Sequence, residues 1–128
     1  MSQDIVADTL NEIMNAKKAR KEAVVVKRFS KLLLKVLEIA KEFGYIGNYK
    51  FRENEGKKEL EISVGSLNEC RAIKPRFYVQ KNEIEKYMRR FLPSRKMGII
   101  IISTSKGLMT HEETIKKGLG GSLIAYFF

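Results

Sequence analysis

The residues best suited to chemistry stand in a row: Ser103, Thr104, Ser105, Lys106 and Gly107. Each hydroxyl can both donate and accept, so it can address a ribose 2′-OH, a base edge or a phosphate. Lys106 adds a mobile positive charge, and Gly107 permits positive φ or close backbone approach. The same residues equally suit a hydrophilic turn whose Ser and Thr bond only to their own backbone. A Walker-type phosphate cradle is excluded, because the pattern G-x-x-x-x-G-K-[ST] is absent. Nucleophilic catalysis has one candidate pair, Cys70 and His111, and nothing in their spacing joins them. Cys70 reads as a small core or surface residue. His111 reads as facing solvent or its neighbours. It cannot share one metal with Glu112 and Glu113, since three consecutive helical residues point in different directions. Neither an enzymatic activity nor a cofactor is expected.

A rigid scaffold must present the hydroxyl run. Gly98 and the four isoleucines 99–102 form a continuous apolar run of strand length, which predicts a buried strand ending where the hydroxyls begin. Residues 103–107 read as the loop after it. Thr110 with Glu113 has the form of a capping box for a short helix that closes at Gly118. Gly120 and Gly121 precede an apolar strand over residues 123–128. Upstream, residues 71–73 and 76–79 read as strands broken by Pro75, and Asn82 as the cap of a helix over residues 83–91 that Pro93 ends.

The first half has a different grammar. Val6, Leu10 and Ile13 recur at helical steps over residues 4–18. Residues 23–26, Ala and three valines, read as a buried strand. Ser30 caps a second helix with a wide apolar face, and Gly44 stops it. Two alternating segments around Glu53, Asn54, Glu55 and Gly56 read as a hairpin. Residues 65–68 are the best boundary, which divides the chain into lobes 1–66 and 67–128. The expected fold is α+β in two small lobes: an N-terminal α-β-α-β-β lobe and a C-terminal lobe, mostly β with short helices.

Charge narrows the function further. The 128 residues carry 25 Lys+Arg against 15 Asp+Glu, a formal net charge of +10. The excess is concentrated in the second half, above all over residues 71–96, which include Lys74, Arg76 and Arg95. A patch of that density favours polyanions, and nucleic acid is the commonest cytosolic one. A solvated surface that keeps the protein soluble is the plainer alternative. One cysteine excludes a disulfide framework and a multi-cysteine zinc site. No window approaches 18 apolar residues, and the acidic start does not read as a signal peptide. The expectation is a cytoplasmic, basic protein without a membrane partner, monomeric when free.

The run from Gly98 through the hydroxyls to Thr110-His111-Glu112-Glu113, followed by Gly118-Leu119-Gly120-Gly121 and an apolar strand, closely resembles the C-terminal signature of the eighth small-subunit ribosomal protein family. Asp8-Thr9, Asn15-Ala16 and the stretch Lys74-Pro75-Arg76-Phe77-Tyr78-Val79 are similar to the family's first helix and middle strand pair. Leu92-Pro93-Ser94-Arg95 and Thr110-His111-Glu112-Glu113 look like its archaeal and eukaryotic branch. The resemblance implies a primary rRNA-binding protein that grips an irregular helix in the central domain of small-subunit rRNA, early in assembly, beside neighbouring ribosomal proteins. It implies RNA contacts by Ser103, Thr104 and Ser105, flanked by Lys106, Gly107, Gly120 and Gly121, and a second contact by Asn15, Lys17 and Lys31. Lysines and arginines such as Lys74, Arg76 and Arg95 would position phosphates, while hydroxyls and a stacking ring, Tyr78, would specify. Bacterial members also bind their own messenger RNA, and they carry Glu where this chain has Ser122. Outside the ribosome, the alternative is a generic basic RNA-binding module.

Overall fold

The computed structural model describes residues 4–94 and 96–128. Asp4 caps the first helix, α1 (Ile5–Lys18), by accepting from the Ala7 N–H at 3.1 Å. Its apolar stripe, with Leu10 and Ile13 wholly buried, packs on the strands β1 (Ala23–Val26) and β3 (Lys57–Val64). Ser30 caps α2 (Lys31–Glu42) by accepting from the Leu33 N–H at 3.2 Å. At the far end, Gly44 and Tyr45 donate back to Lys41 and Ala40, closing α2 where the sequence places its stop. α2 lies on β2 (Ile46–Asn54). The sheet order is β1-β3-β2, antiparallel throughout. Leu60, Ile62 and Ile46 fill its core side, as alternation along paired strands requires. These elements form one compact unit, ending at Glu69.

The second unit, Cys70–Phe128, is built on a five-stranded antiparallel sheet. Its strands are β4 (Cys70–Ala72), β5 (Tyr78–Val79), β6 (Ile99–Thr104), β7 (Gly107–Thr110) and β8 (Gly121–Phe127). β8 is central, paired with β4, β5 and β6, and β7 closes the edge against β6. Helix α3 (Ile84–Phe91) covers one face. Its Ile84 and Met88 join Ile73, Val79, Ile100, Ile102 and Leu123 in a buried cluster, rimmed by Phe77, Tyr87, Phe91 and Tyr126. The short helix α4 (His111–Lys117) packs along β6 and β7. The α+β class read from the sequence is the observed one.

Several local expectations are corrected. Gln80, not Asn82, heads the turn before α3: a 3₁₀ turn, Lys81–Glu83, intervenes, and the Gln80 N–H donates to Glu83 Oε1 at 3.0 Å. Residues 103–107 are not a loop. Ser103 and Thr104 finish β6, Ser105 and Lys106 make a two-residue turn, and Gly107 opens β7. β8 starts at Gly121, two residues before the apolar run, because Gly121 and Ser122 already pair with Val79 and Tyr78 of β5. His111 faces neither solvent nor its sequence neighbours. It is 0% exposed.

Candidate nucleic-acid interface

Pairing in the second unit gathers distant residues into one row. Ser122 on β8 stands opposite Tyr78 on β5 and opposite Ser103 on β6, and Ser103 stands opposite Leu108 on β7. Directly paired residues in antiparallel strands project to the same face. Tyr78, Ser122 and Ser103 therefore form a polar row across three strands, on the face opposite their buried neighbours Val79 and Ile102. Tyr78 leaves 68% of its surface exposed, far more than a core ring would. Ser103 and Ser122 are half-buried.

Two glycines make that row close. A methyl on Gly120 would lie 2.5 Å from the Val79 carbonyl oxygen and 3.2 Å from the Tyr78 hydroxyl. A methyl on Gly121 would strike the Ser103 carbonyl oxygen and lie 2.8 Å from Ile102 Cγ2. Both sites require glycine because backbone approaches backbone, which lets the start of β8 slide between β5 and β6.

The three hydroxyls at the end of β6 do different work. Thr104 holds the turn: its Oγ1 donates to the Gly107 carbonyl at 2.8 Å and accepts from the Lys106 N–H at 3.1 Å. For this residue the self-bonding alternative is the observed one. Ser105 is exposed at the turn, and no side-chain hydrogen bond ties Ser103 or Ser105 to the described residues. Lys106 is exposed beside it, with no carboxylate in ion-pair range among the described residues. Gly107 takes φ 109°, a value that side chains rarely adopt, and directs the chain back along β6.

Of the other candidates in this unit, Lys74 and Arg76 are exposed around Pro75, in the connection between β4 and β5. Arg95 lies outside the described residues. In the first unit, Asn15 projects from α1 into two clefts along β1, of about 570 and 430 Å³, both also lined by Val25. Lys27 and Arg28 line the larger cleft, a contribution that the sequence reading passed over because the two follow the strand without a motif. Lys17 is half-buried on α1, and Lys31 is exposed at the first position of α2.

Sequence reasoning also missed Ser122 as a partner of Ser103 and Tyr78, and it missed His111 as a structural residue. His111 Nδ1 accepts from the Ile100 N–H at 3.1 Å, inside the protein. Burial lowers its pKa from the ordinary 6.5, against a smaller opposing pull from Glu112. Among the described residues, no group of His, Cys, Asp and Glu is arranged to hold a metal ion. Hydroxyls, an exposed ring and the Lys106 cation, which has no ion-pair partner among the described residues, make a surface that can read and hold a nucleic acid. A protein-family model described as ribosomal protein S8 matches this chain over residues 4–128.

Proposed function

We propose, from the premise that the chain belongs to the ribosomal protein S8 family, that it recognises an irregular helix in the central domain of small-subunit rRNA and nucleates assembly there. Membership makes it a structural, rRNA-binding constituent of the small ribosomal subunit. The observation that carries the finer reading is the division of labour at the end of β6. Thr104 is spent on the turn, so Ser105 and Lys106 are presented, with Tyr78, Ser122 and Ser103 aligned across the sheet behind them. Regular A-form RNA hides its base edges in a deep groove, so such a row suits a distorted site whose bases are accessible. Ser103 and Ser105 would read base or ribose groups, Tyr78 would stack, and Lys74, Arg76 and Lys106 would position phosphates. Asn15, Lys17 and Lys31 would hold the adjacent helix. Binding to its own messenger RNA would need the same irregular helix in the message. The free protein would bind as a monomer.

The test is a titration against a central-domain hairpin and a scrambled duplex of equal length, at about 0.2 M salt. Cognate binding roughly 10³-fold tighter supports specific recognition. Equal binding would leave only a generic basic module.

A further inference from the structure

We propose that His111 is a positioning residue for the turn at Ser105 and Lys106: its imidazole takes the place of a strand backbone opposite Ile100, and so fixes β7 against β6. The inference rests on the RNA-binding reading above for its functional consequence, and on the fold alone for its mechanism.

β7 is a short edge strand with one paired neighbour, the position in a sheet most prone to fraying. Its register runs Thr104 to Gly107, Ser103 to Leu108, Ile102 to Met109 and Ile101 to Thr110. The next step would set Ile100 opposite His111, but there the backbone has turned into α4, and Thr110 serves as its cap. Ile100 is wholly buried, so an N–H left without an acceptor there would carry the full cost of desolvation. His111 Nδ1 supplies that acceptor at 3.1 Å. An accepting Nδ1 carries no proton, which places the proton of the neutral ring on Nε2. That nitrogen is buried without a hydrogen-bond partner among the described residues. The site therefore gives up one hydrogen bond to keep another, which selects for an acceptor at the Nδ1 position. The junction is fixed further by Thr114 Oγ1, which donates to the His111 carbonyl at 2.7 Å. From this latch to the turn is four ladder steps, about 13 Å at the strand rise.

The test compares His111→Leu, which fills similar space without an acceptor, with His111→Asn, whose Oδ1 occupies the place of Nδ1. In the free protein, His111→Leu should speed amide exchange at Ile100 and at residues 103–108, and leave the pairing of β4 with β8 protected. Its affinity for the central-domain hairpin should fall about tenfold, the factor that one ordinary hydrogen bond supplies, with a smaller loss on the scrambled duplex, where only the Lys106 phosphate contact is at stake. His111→Asn should restore both. Unchanged cognate affinity in a folded Leu variant, an equal loss on both RNAs, or failure of Asn to rescue would each overturn the proposal. If the Leu variant does not fold, His111→Gln replaces it. Its amide oxygen reaches the Nε2 position instead, so a Gln variant that matches Asn would also overturn the proposal. Should the wild-type protein fail to separate the two RNAs, the RNA reading falls, while amide exchange still decides whether His111 fixes the turn.

Discussion

The hairpin joining β2 to β3 and the one joining β6 to β7 are both closed by two residues, yet they are held by different means. In the first, Glu55 at φ 54° and Gly56 at φ 77° both adopt left-handed backbone, the geometry whose twist matches antiparallel strands. In the second, only Gly107 does so, and the Thr104 hydroxyl braces the turn from inside. Their charges differ as well. Arg52 reaches Glu61 at 3.1 Å, Lys50 reaches the same carboxylate at 3.5 Å, and Lys58 sits over the Phe51 ring. Lys106 has no such partner among the described residues. A hairpin whose charges neutralise one another offers little to a polyanion. A hairpin that closes itself with one hydroxyl leaves its other polar groups free for a ligand.

The comparison breaks most severely at glycine. Gly121→Ala drives a methyl into the Ser103 backbone, which cannot move without breaking the pairing of β6 with β8. We expect a loss of about 3 kcal/mol in stability, at the upper end for overpacking, together with loss of cognate RNA binding. Gly56→Ala meets nothing within 4 Å and suffers only its positive φ, so about 1 kcal/mol should be lost, with RNA binding intact. Thermal melts of both variants, read beside the RNA titration, check the pair.

Ser105→Ala should cost about 1–3 kcal/mol in cognate binding, as for a lost directed contact, with the melting temperature unchanged because the hydroxyl bonds to none of the described residues. Glu55→Ala, at the tip of the other hairpin, should leave binding alone. Unchanged affinity in Ser105→Ala would remove this residue from the interface. Thr104→Val should do the converse. It gives up the bonds to Lys106 and Gly107, so stability should fall by about 1 kcal/mol, and affinity should follow only as far as the turn loosens. Amide exchange at Lys106 distinguishes the two variants.

How far these features are legible in the sequence depends on how local their causes are. The caps at Ser30 and Thr110 are decided by one hydroxyl and an N–H three residues on, and they stand where the sequence places them. Gly44 ends α2 for an equally local reason. β7 was hidden because four residues of strand carry too little alternation to stand out from a loop, and Gly107 reads as the end of one. The burial of His111 follows from a bond to Ile100 across eleven residues. The row of Tyr78, Ser122 and Ser103 exists only once three strands are in register. In the sequence, the site is legible as an inventory of groups. Its geometry comes from the pairing.

Acid should separate the two hairpins. The unfolded chain takes up a proton on His111 near pH 6.5, whereas in the folded protein burial pushes that pKa lower. Below 6.5 the unfolded state therefore binds more protons, and stability falls as pH falls toward the folded value. The contribution is fully present above 6.5. Protonation also converts Nδ1 from acceptor to donor, which removes the bond from Ile100. Protection against amide exchange, taken relative to the intrinsic rate at each pH, should fall at residues 103–108 between pH 7.5 and 5.5 more than at the turn of Glu55 and Gly56. His111→Asn, which has no proton to gain, should flatten that difference. An identical pH response in both proteins would exclude His111 as its source.

The smallest effect separates two lysines, one at each turn. Lys106→Ala should weaken binding to cognate and scrambled RNA alike and lower the slope of log affinity against log salt by about 0.7–0.9, the release of counterions from one phosphate contact. Lys57→Ala, beside the Glu55–Gly56 turn, should change neither quantity. The charge change is the same in both variants and both lysines are exposed, so the net charge of the protein cannot account for a difference between them. Position would have to, which makes the pair a direct measure of where the RNA backbone runs. A loss confined to the cognate RNA would make Lys106 a reader of sequence instead of a phosphate contact. Equal slopes for the two variants would mean that attraction is spread over the whole basic surface, with the braced turn no closer to the backbone than the neutralised one.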